Sequence, residues 1–350
     1  MRVQCKEDEL DFLTILEEIN DNWYLRRIEE IQTWPWKFPD WQIHDNRMYI
    51  HRKDYFLDPV SGEDNSWKLV LPLEWRQRAL NEVHHEPFTG HYGIAKTYDR
   101  LARTYFWPGM YHDTLEYVTS CIECQRHKSV QTGPQGLMGK RIVETPWTVV
   151  AADCMEFPRS KSGFKYLVVF QDLFTKMIEL KPLRKQDGKN IAQAFEELIL
   201  FRWETPEYFL ADNGKEFDND LVKKRLKEYG VRFITTPPYF PQANVVERQN
   251  RNLKTIKIFI GSDHRNWDLH LYEFRHAVNT AKQESTKVSP AFLNYGRQPK
   301  PVKSLRREIE LENEKNIIEV HKMDPELWKD RLKRLQFLRD LVAKYIDDAR

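Results

Sequence analysis

The pattern of hydrophobic and polar positions divides the chain into a β-rich beginning, a helical middle and a longer α/β region. From Trp41 the alternation in WQIHDNRMYIHRKDYFL predicts a short hairpin with its turn at DNR. Another strand is predicted at Trp67–Leu71, and a helix from Leu73. Residues 1–40 mix acidic helix-formers with the segment WPWKFPDW and show no clear period. We expect a loosely packed leader there.

The second half of the chain predicts an α/β core. The predicted strands are Thr148–Glu156, Tyr166–Gln171, Lys176–Lys181, Tyr208–Ala211 and Val231–Thr236. The predicted helices are Gly188–Arg202, Asn219–Tyr229, Asn244–Ile260 and Trp267–Ala281. Three successive strands followed by alternating strands and helices indicate a mixed sheet flanked by helices.

The composition indicates a globular protein and leaves the class of partner open. Of 350 residues, 41% are hydrophobic and 13% aromatic, which is enough to build cores for two or three domains. Lys and Arg (55) nearly balance Asp and Glu (53), so the net charge of +2 neither predicts nor excludes nucleic acid. The sequence contains no long apolar run and no signal peptide, and we expect an intracellular protein with no membrane partner.

Two histidines and two cysteines form the pattern H-x6-H-x29-C-x2-C at His84, His91, Cys121 and Cys124. Imidazole and thiolate ligands suit tetrahedral zinc, and two cysteines separated by two residues can hold one ion from a turn. In a reducing compartment such a pair indicates metal rather than a disulfide. His85 adjoins His84, and spacing only favours His84 as the ligand. If the pattern is incidental, the histidines are ordinary surface residues.

Three acidic residues are candidates for a catalytic metal site. Asp153 lies within an apolar strand, where a carboxylate is costly unless it is paired or binds metal. Asp212 follows the strand YFLA and precedes the turn Asn-Gly, and Glu247 begins a predicted helix. Carboxylates of this kind hold pairs of magnesium ions that assist in-line phosphoryl transfer. Each acid alone has an ordinary explanation, so the prediction depends on the set.

The helix predicted after Glu247 carries polar residues that could contact DNA. Asn250, Arg251 and Lys254 lie three, four and seven residues beyond the glutamate, on one helical face. They are equally consistent with a solvated face.

From about Trp41 to Pro301, the chain resembles the integrases of gypsy-type LTR retrotransposons. The resemblance is carried by HHEPFTGHYGIAKTYDRLARTYFWPGM, CIECQRHK, AADCMEF, FLADNGKEF, PPYFPQANVVERQNRNLK and SPAFLNYGRQP. It implies a structural zinc ion at the H2C2 pattern and a ribonuclease H-like core with the catalytic acids spaced D-x58-D-x34-E. The implied fold is α/β, a ribonuclease H-like mixed sheet flanked by helices and preceded by a small helical zinc-binding domain.

These patterns and the resemblance together predict six segments. They are a leader at 1–40, an N-terminal extension with a hairpin at 41–76, an H2C2 zinc-binding domain at 77–130, a linker at 131–146, an integrase catalytic core at 147–300 and a charged helical tail at 301–350. The tail has apolar residues at partial helical spacing, and it could be a connector or a partner-binding helix. These residues are Leu327, Leu332, Leu335, Leu338 and Leu341.

The implied activity is integration of element DNA into a target duplex. The enzyme would trim the 3′ ends of the element and then join the new 3′-hydroxyls to target DNA, with Mg²⁺ or Mn²⁺ at the acids. The implied partners are element ends, target DNA and further copies of the chain, and the implied location is the nucleus after a cytoplasmic stage. The alternatives are a captured or decayed copy that only binds nucleic acid or protein, and a nuclease or transposase that shares the core.

Overall fold

The computed structural model describes residues 20–44, 47–54, 60, 66–127, 145–235, 264–311 and 325–348. In the amino-terminal part the elements are α1 (Asn22–Thr33), β1 (Trp41–His44), β2 (Arg47–His51), β3 (Trp67–Val70), α2 (Leu73–His84), α3 (Ile94–Thr104), β4 (Tyr105–Phe106), α4 (Met110–Ser120) and α5 (Ile122–His127).

The predicted hairpin is present as the antiparallel pair β1–β2, and β3 pairs with β2. The fourth strand of this sheet, β4, comes from the helical region and pairs in parallel with β3. The hairpin segment and the helical segment therefore share one sheet. Tyr105 and Trp107, both about 1% exposed, place this connection inside the core of the unit.

The expectation of a loosely packed leader is wrong for the described part of residues 1–40. Helix α1 is capped by Asp21, whose carboxylate accepts a hydrogen bond from the backbone N–H of Tyr24. Arg76 of α2 forms an ion pair with the same carboxylate at 2.7 Å, and Tyr24 is buried. The absence of a clear period hid this helix because few of its residues, among them Tyr24 and Ile31, face the sheet.

The second unit is a mixed sheet between two helical layers. Its elements are β5 (Val149–Glu156), β6 (Tyr166–Asp172), β7 (Ile178–Leu183), α6 (Gly188–Phe195), β8 (Tyr208–Ala211), α7 (Asp220–Glu228), β9 (Arg232–Thr235), α8 (Leu271–Thr280), α9 (Pro290–Tyr295), α10 (Leu305–Leu311) and α11 (Pro325–Asp348). The strand order is β7-β6-β5-β8-β9, with β5, β8 and β9 parallel and β6 antiparallel to its neighbours. This confirms the predicted α/β class and the ribonuclease H-like mixed sheet.

Opposite faces of the sheet support separate cores. Val150, Phe170 and Phe209 pack against α6 and α7 on one face. Ala151 and Val169 pack against α8, α9 and α11 on the other. Successive side chains along each strand point to opposite faces of the sheet, so they divide between these two cores.

The tail beyond residue 301 packs on both units. Helix α10 buries Leu305 and Ile309 in the core of the amino-terminal unit. Helix α11 packs Leu338, Val342 and Ile346 against the mixed sheet, and Arg339 donates to the backbone oxygen of Leu293. The tail helices are thus part of the fold. Of the leucines noted from the sequence, Leu338 is buried and Leu335 packs against the same core, whereas Leu332 is 49% exposed.

Candidate functional site

A cluster of imidazoles and thiols lies where α2, the loop after it and α5 meet. His84 is the last residue of α2 and is fully buried, and His91 lies in the loop that follows. Cys121 is the residue between α4 and α5, and Cys124 lies within α5. Gly90 and His91 both have positive φ, 84° and 44°. A Cβ on Gly90 would lie 2.9 Å from the ring of Tyr92, so the turn that presents His91 requires glycine.

The distances in this cluster fit a tetrahedral ion. The Sγ atom of Cys124 lies 3.4 Å from His84 Nε2 and 3.9 Å from His91 Nδ1, and Cys121 Sγ lies 3.7 Å from His91 Nδ1. Ligands at ordinary zinc–nitrogen and zinc–sulfur distances are about 3.6 Å apart in a tetrahedron. The four residues predicted from spacing are therefore brought together, and their chemistry suits zinc.

His85 is a fifth candidate ligand at the same point. Its Nε2 lies 3.6 Å from Cys121 Sγ, and its Nδ1 lies 2.8 Å from the hydroxyl of Tyr117. Burial lowers the pKa of His85, which favours the neutral ring that a metal ligand needs. His84 differs in being fully buried, with its Nδ1 3.4 Å from Thr97 Oγ1. Such an outer partner orients a ligating imidazole, and no pattern in the sequence pointed to Thr97 or Tyr117.

The predicted acid Asp153 lies in β5, and Asp212 is the first residue after the adjacent parallel strand β8. Strand β5 pairs with β8 in a register that aligns Val149 with Tyr208 and Ala151 with Leu210. Each acid therefore lies two residues beyond the last pair of this register, at the same end of the sheet. Both residues are half-buried. The third predicted acid, Glu247, lies outside the described residues, as do Asn250, Arg251 and Lys254.

The loop after β8 adds a carboxylate that the sequence prediction missed. A Cβ on Gly214 would lie 2.7 Å from Glu216 Oε2 and 2.9 Å from Asp212 Oδ1, so both oxygens border the same small space. The Oε1 atom of Glu216 accepts a hydrogen bond from the side chain of Gln186. Glu216 belongs to the motif FLADNGKEF, and this membership was the only available signal.

The pKa of the Cys154 thiol responds to the negative charge of this site. Burial, together with repulsion of the thiolate by the carboxylates of Glu216, Asp153 and Asp212, raises its pKa to about 12. Among the described residues these carboxylates do not form a group as close as the imidazoles and thiols above, whose ligand atoms lie within 4.8 Å of one another. As hard oxygen ligands at one edge of the sheet, they suit a divalent cation such as magnesium or manganese by their chemistry.

The two units are joined at the loop that carries His91. Arg100 of α3 donates to the backbone oxygen of Thr89 and, across the interface, to the backbone oxygen of Ala277 and the hydroxyl of Thr280. Burial lowers the pKa of Arg100 to about 10, so its position is desolvated. The candidate metal cluster is therefore held directly against helix α8 of the mixed-sheet unit.

Comparison with known proteins places both units. Residues 71–130 match the integrase zinc binding domain, and residues 144–241 match the integrase core domain. The chain is 28% identical over 234 residues to a gypsy retrotransposon integrase-like protein 1 of Pongo abelii, an alignment that covers 66% of this chain and 44% of that protein. It is 26% identical over 284 residues to a retrovirus-related Pol polyprotein from transposon 412 of Drosophila melanogaster, covering 77% and 22%.

Among solved structures, the catalytic core domain of BIV integrase is similar with a TM-score of 0.35 and 19% identity, covering 41% of this chain and 91% of that one. The chain spans less than half the length of the integrase-like proteins it matches. None of the described helices is long and apolar enough to cross a membrane. The chain carries an integrase zinc-binding domain joined to an integrase core domain, and this confirms its resemblance to the integrases of gypsy-type LTR retrotransposons.

Proposed function

We propose that the chain is a DNA integrase that trims the 3′ ends of element DNA and joins them to a target duplex. The observation that carries this proposal is that Asp153 of β5 and Asp212, directly after the adjacent parallel strand β8, lie at the same end of the sheet within an integrase core domain. Glu247 is proposed as the third acid from its place in the sequence motif.

In this proposal Asp153, Asp212 and Glu247 hold the catalytic cation, and Glu216 supports Asp212 from the adjoining loop. Magnesium or manganese, when bound there, supplies charge stabilisation for the attacking and leaving oxygens of phosphoryl transfer. The protein's own task is to align a DNA phosphate with the attacking hydroxyl, first of water and then of a DNA 3′ end. Asn250, Arg251 and Lys254 are proposed as DNA contacts beside Glu247.

The zinc-binding domain has a structural role in this proposal. His84, His91, Cys121 and Cys124 would hold zinc and so fix the end of α2 to α5. Because the His91 loop contacts α8 through Arg100, zinc would also support the orientation of the two domains. Two DNA ends must be joined together, so a homo-oligomer acting in the nucleus after a cytoplasmic stage is proposed.

The test is DNA joining by the whole chain on a branched substrate that mimics the joined product, with Mg²⁺ or Mn²⁺. Asp153→Asn and Asp212→Asn should each remove the activity, whereas Asp220→Asn, an exposed acid at the start of α7, should retain it. Zinc content and circular dichroism show whether each variant is folded. A folded, zinc-loaded wild-type chain that binds DNA but joins none would instead identify a binding protein.

A further inference from the structure

A basic groove of about 440 Å³ adjoins the acid cluster. It is lined by Arg159, Lys165, Tyr166, Arg184, Lys185 and Gln186. Four of these six side chains are cationic, and none of the lining residues is an acid. The balanced charge of the whole chain therefore conceals a local concentration of positive charge in this groove.

The cations of the groove differ in whether a carboxylate of the protein already forms an ion pair with them. Lys165 pairs with Glu156 at 2.8 Å. Arg184 donates to the backbone oxygen of Ser162 and lies over the ring of Phe164, and these interactions position the guanidinium without neutralising it. Arg159 and Lys185 are exposed. Within the described residues, no carboxylate lies in ion-pair distance of Arg159, Arg184 or Lys185, so these charges are available to an anion.

Gln186 connects the groove to the candidate catalytic site. Gln186 lines the groove and donates to Glu216, which borders the same space as Asp212. The loop between β7 and α6 therefore carries two of the four groove cations, Arg184 and Lys185. It also carries Gln186, which contacts Glu216. A polyanion bound along the groove would therefore lie close to Asp212.

We propose that this groove holds the sugar-phosphate backbone of the DNA strand that enters the acid cluster. The inference rests on the proposed function, because it names how the substrate of that site is held. Two arginines and a lysine suit phosphates spaced along a strand. Binding of this kind would be independent of base sequence and weakened by salt.

The test is binding of a fluorescent DNA duplex by the zinc-loaded whole chain in a buffer without Mg²⁺, Mn²⁺ or chelator, followed by anisotropy across a range of NaCl concentrations. The triple variant R159A/R184A/K185A removes the three available cations. The matched control K329A/K333A/K344A removes three exposed cations from α11 and changes the net charge equally. Circular dichroism and zinc content confirm that both variants are folded.

The groove variant should lower the slope of log affinity against log salt by about 2 to 3, because each phosphate that is no longer neutralised lowers the slope by close to one. The control should leave the slope unchanged. Equal slopes in both variants would overturn the proposal. Competition by inorganic phosphate beyond the effect of matched ionic strength would also overturn it, in favour of a pocket for a free anion.

The same experiment separates this inference from the proposed function. Asp153→Asn should abolish joining in Mg²⁺ yet keep the wild-type salt slope in the buffer without Mg²⁺ or Mn²⁺. A wild-type chain that joins no DNA, together with a groove variant of lowered slope, would refute the integrase activity and keep the groove. A wild-type chain that joins DNA, together with a groove variant whose salt slope equals that of the wild type, would support the integrase activity and refute the groove.

Discussion

Single residues determine which ligands the metal cluster can use. His84 and His85 both reach a cysteine sulfur, at 3.4 and 3.6 Å, and the sequence spacing only favoured the first. Two adjacent histidines at a helix end cannot be separated by pattern, because the difference between them is burial. His84 is fully buried within the cluster, whereas His85 is exposed and hydrogen-bonded to Tyr117.

We expect His84→Ala to lose zinc and His85→Ala to keep about one equivalent per chain, because only four ligands complete a tetrahedral site. Zinc released from the purified chain and measured with a chromogenic chelator gives the stoichiometry. Equal zinc loss in both variants would show that His85 is also needed to hold the ion, and zinc retained by His84→Ala would show that His85 can take its place.

The acid cluster was only partly predictable from single residues. Asp153 stood out because a carboxylate within an apolar strand is costly unless it is paired or binds metal, and Asp212 because it follows a buried strand and precedes an Asn-Gly turn. Glu216 looked like an ordinary loop residue, since nothing in its neighbours along the chain shows that Gly214 lets it approach Asp212. Close approach across a turn depends on backbone conformation, which single positions do not encode.

Gly214→Ala should slow DNA joining by on the order of 10- to 100-fold, because the added methyl would displace Asp212 or Glu216 by a fraction of an ångström to an ångström. Gly93→Ala is the matched control, since a Cβ there meets no atom within 4 Å. The initial rates of both variants are compared across a range of Mg²⁺ concentrations. A normal rate for Gly214→Ala would mean that the loop yields without cost.

At the level of elements, the strands of the mixed sheet and the helical character of the tail were largely predicted, whereas the packing of the tail was not. Strands β5, β6 and β8 match their apolar runs because both faces of the sheet are covered by helices. Strand β7 is displaced by two residues, since Lys176 has positive φ and lies in the turn before the strand. The two-residue strand β4 carries too few positions to form a pattern.

The partial leucine spacing in the tail matches the buried face of α11 only at Leu335 and Leu338. The buried face of α11 runs through Leu338, Val342 and Ile346, at intervals of four, whereas Leu332 points outward. Which face of a charged helix is buried depends on the surface it meets. That surface is formed by distant strands, so the sequence could not supply it.

Leu338→Ala should lower the free energy of unfolding by about 3 kcal/mol, because it removes a buried side chain and leaves a cavity. Leu332→Ala, on the exposed side of the same helix, should change it by about 0.5 kcal/mol or less. Urea unfolding followed by circular dichroism measures both. Similar effects in the two variants would argue that α11 does not dock through its Leu338 face.

At the level of the whole molecule, the contact between the zinc-binding domain and the core was not predictable. It depends on Arg100 reaching three oxygen atoms on two domains, at Thr89, Ala277 and Thr280. An arginine on an amphipathic helix usually lies in solvent, and the sequence offers no reason to place this one between domains.

Arg100→Met should cost about 2 to 3 kcal/mol of unfolding free energy, since it leaves backbone oxygens unpaired at the domain contact. Arg26→Met removes an arginine whose side chain is 80% exposed and paired with Glu30, and should cost about 0.5 kcal/mol or less. Differential scanning calorimetry is the measurement. If the domain contact is the main effect, the single transition should broaden or divide in two for Arg100→Met only.

Acid should weaken this contact through His276. Burial, together with the nearby charges of Arg100 and Arg275, lowers the pKa of His276 below its ordinary value of 6.5. The unfolded chain then takes up the proton first, so stability is full above about pH 6.5 and falls as the pH drops below it. His276→Gln should lose less stability than the wild type between pH 7.5 and 5.5. Parallel losses would assign the acid sensitivity to other groups.

The parallel pairing of β3 with β4 closes a loop of chain that contains both histidines of the cluster. Much of the entropy needed to bring His84 and His91 together is therefore lost when the sheet forms, before any ion arrives. Cys121 and Cys124 follow just after β4, one helix away. In refolding, β3 and β4 should consequently pair before the metal ion binds. The bound ion should then slow the separation of ligands that the paired strands already hold close together.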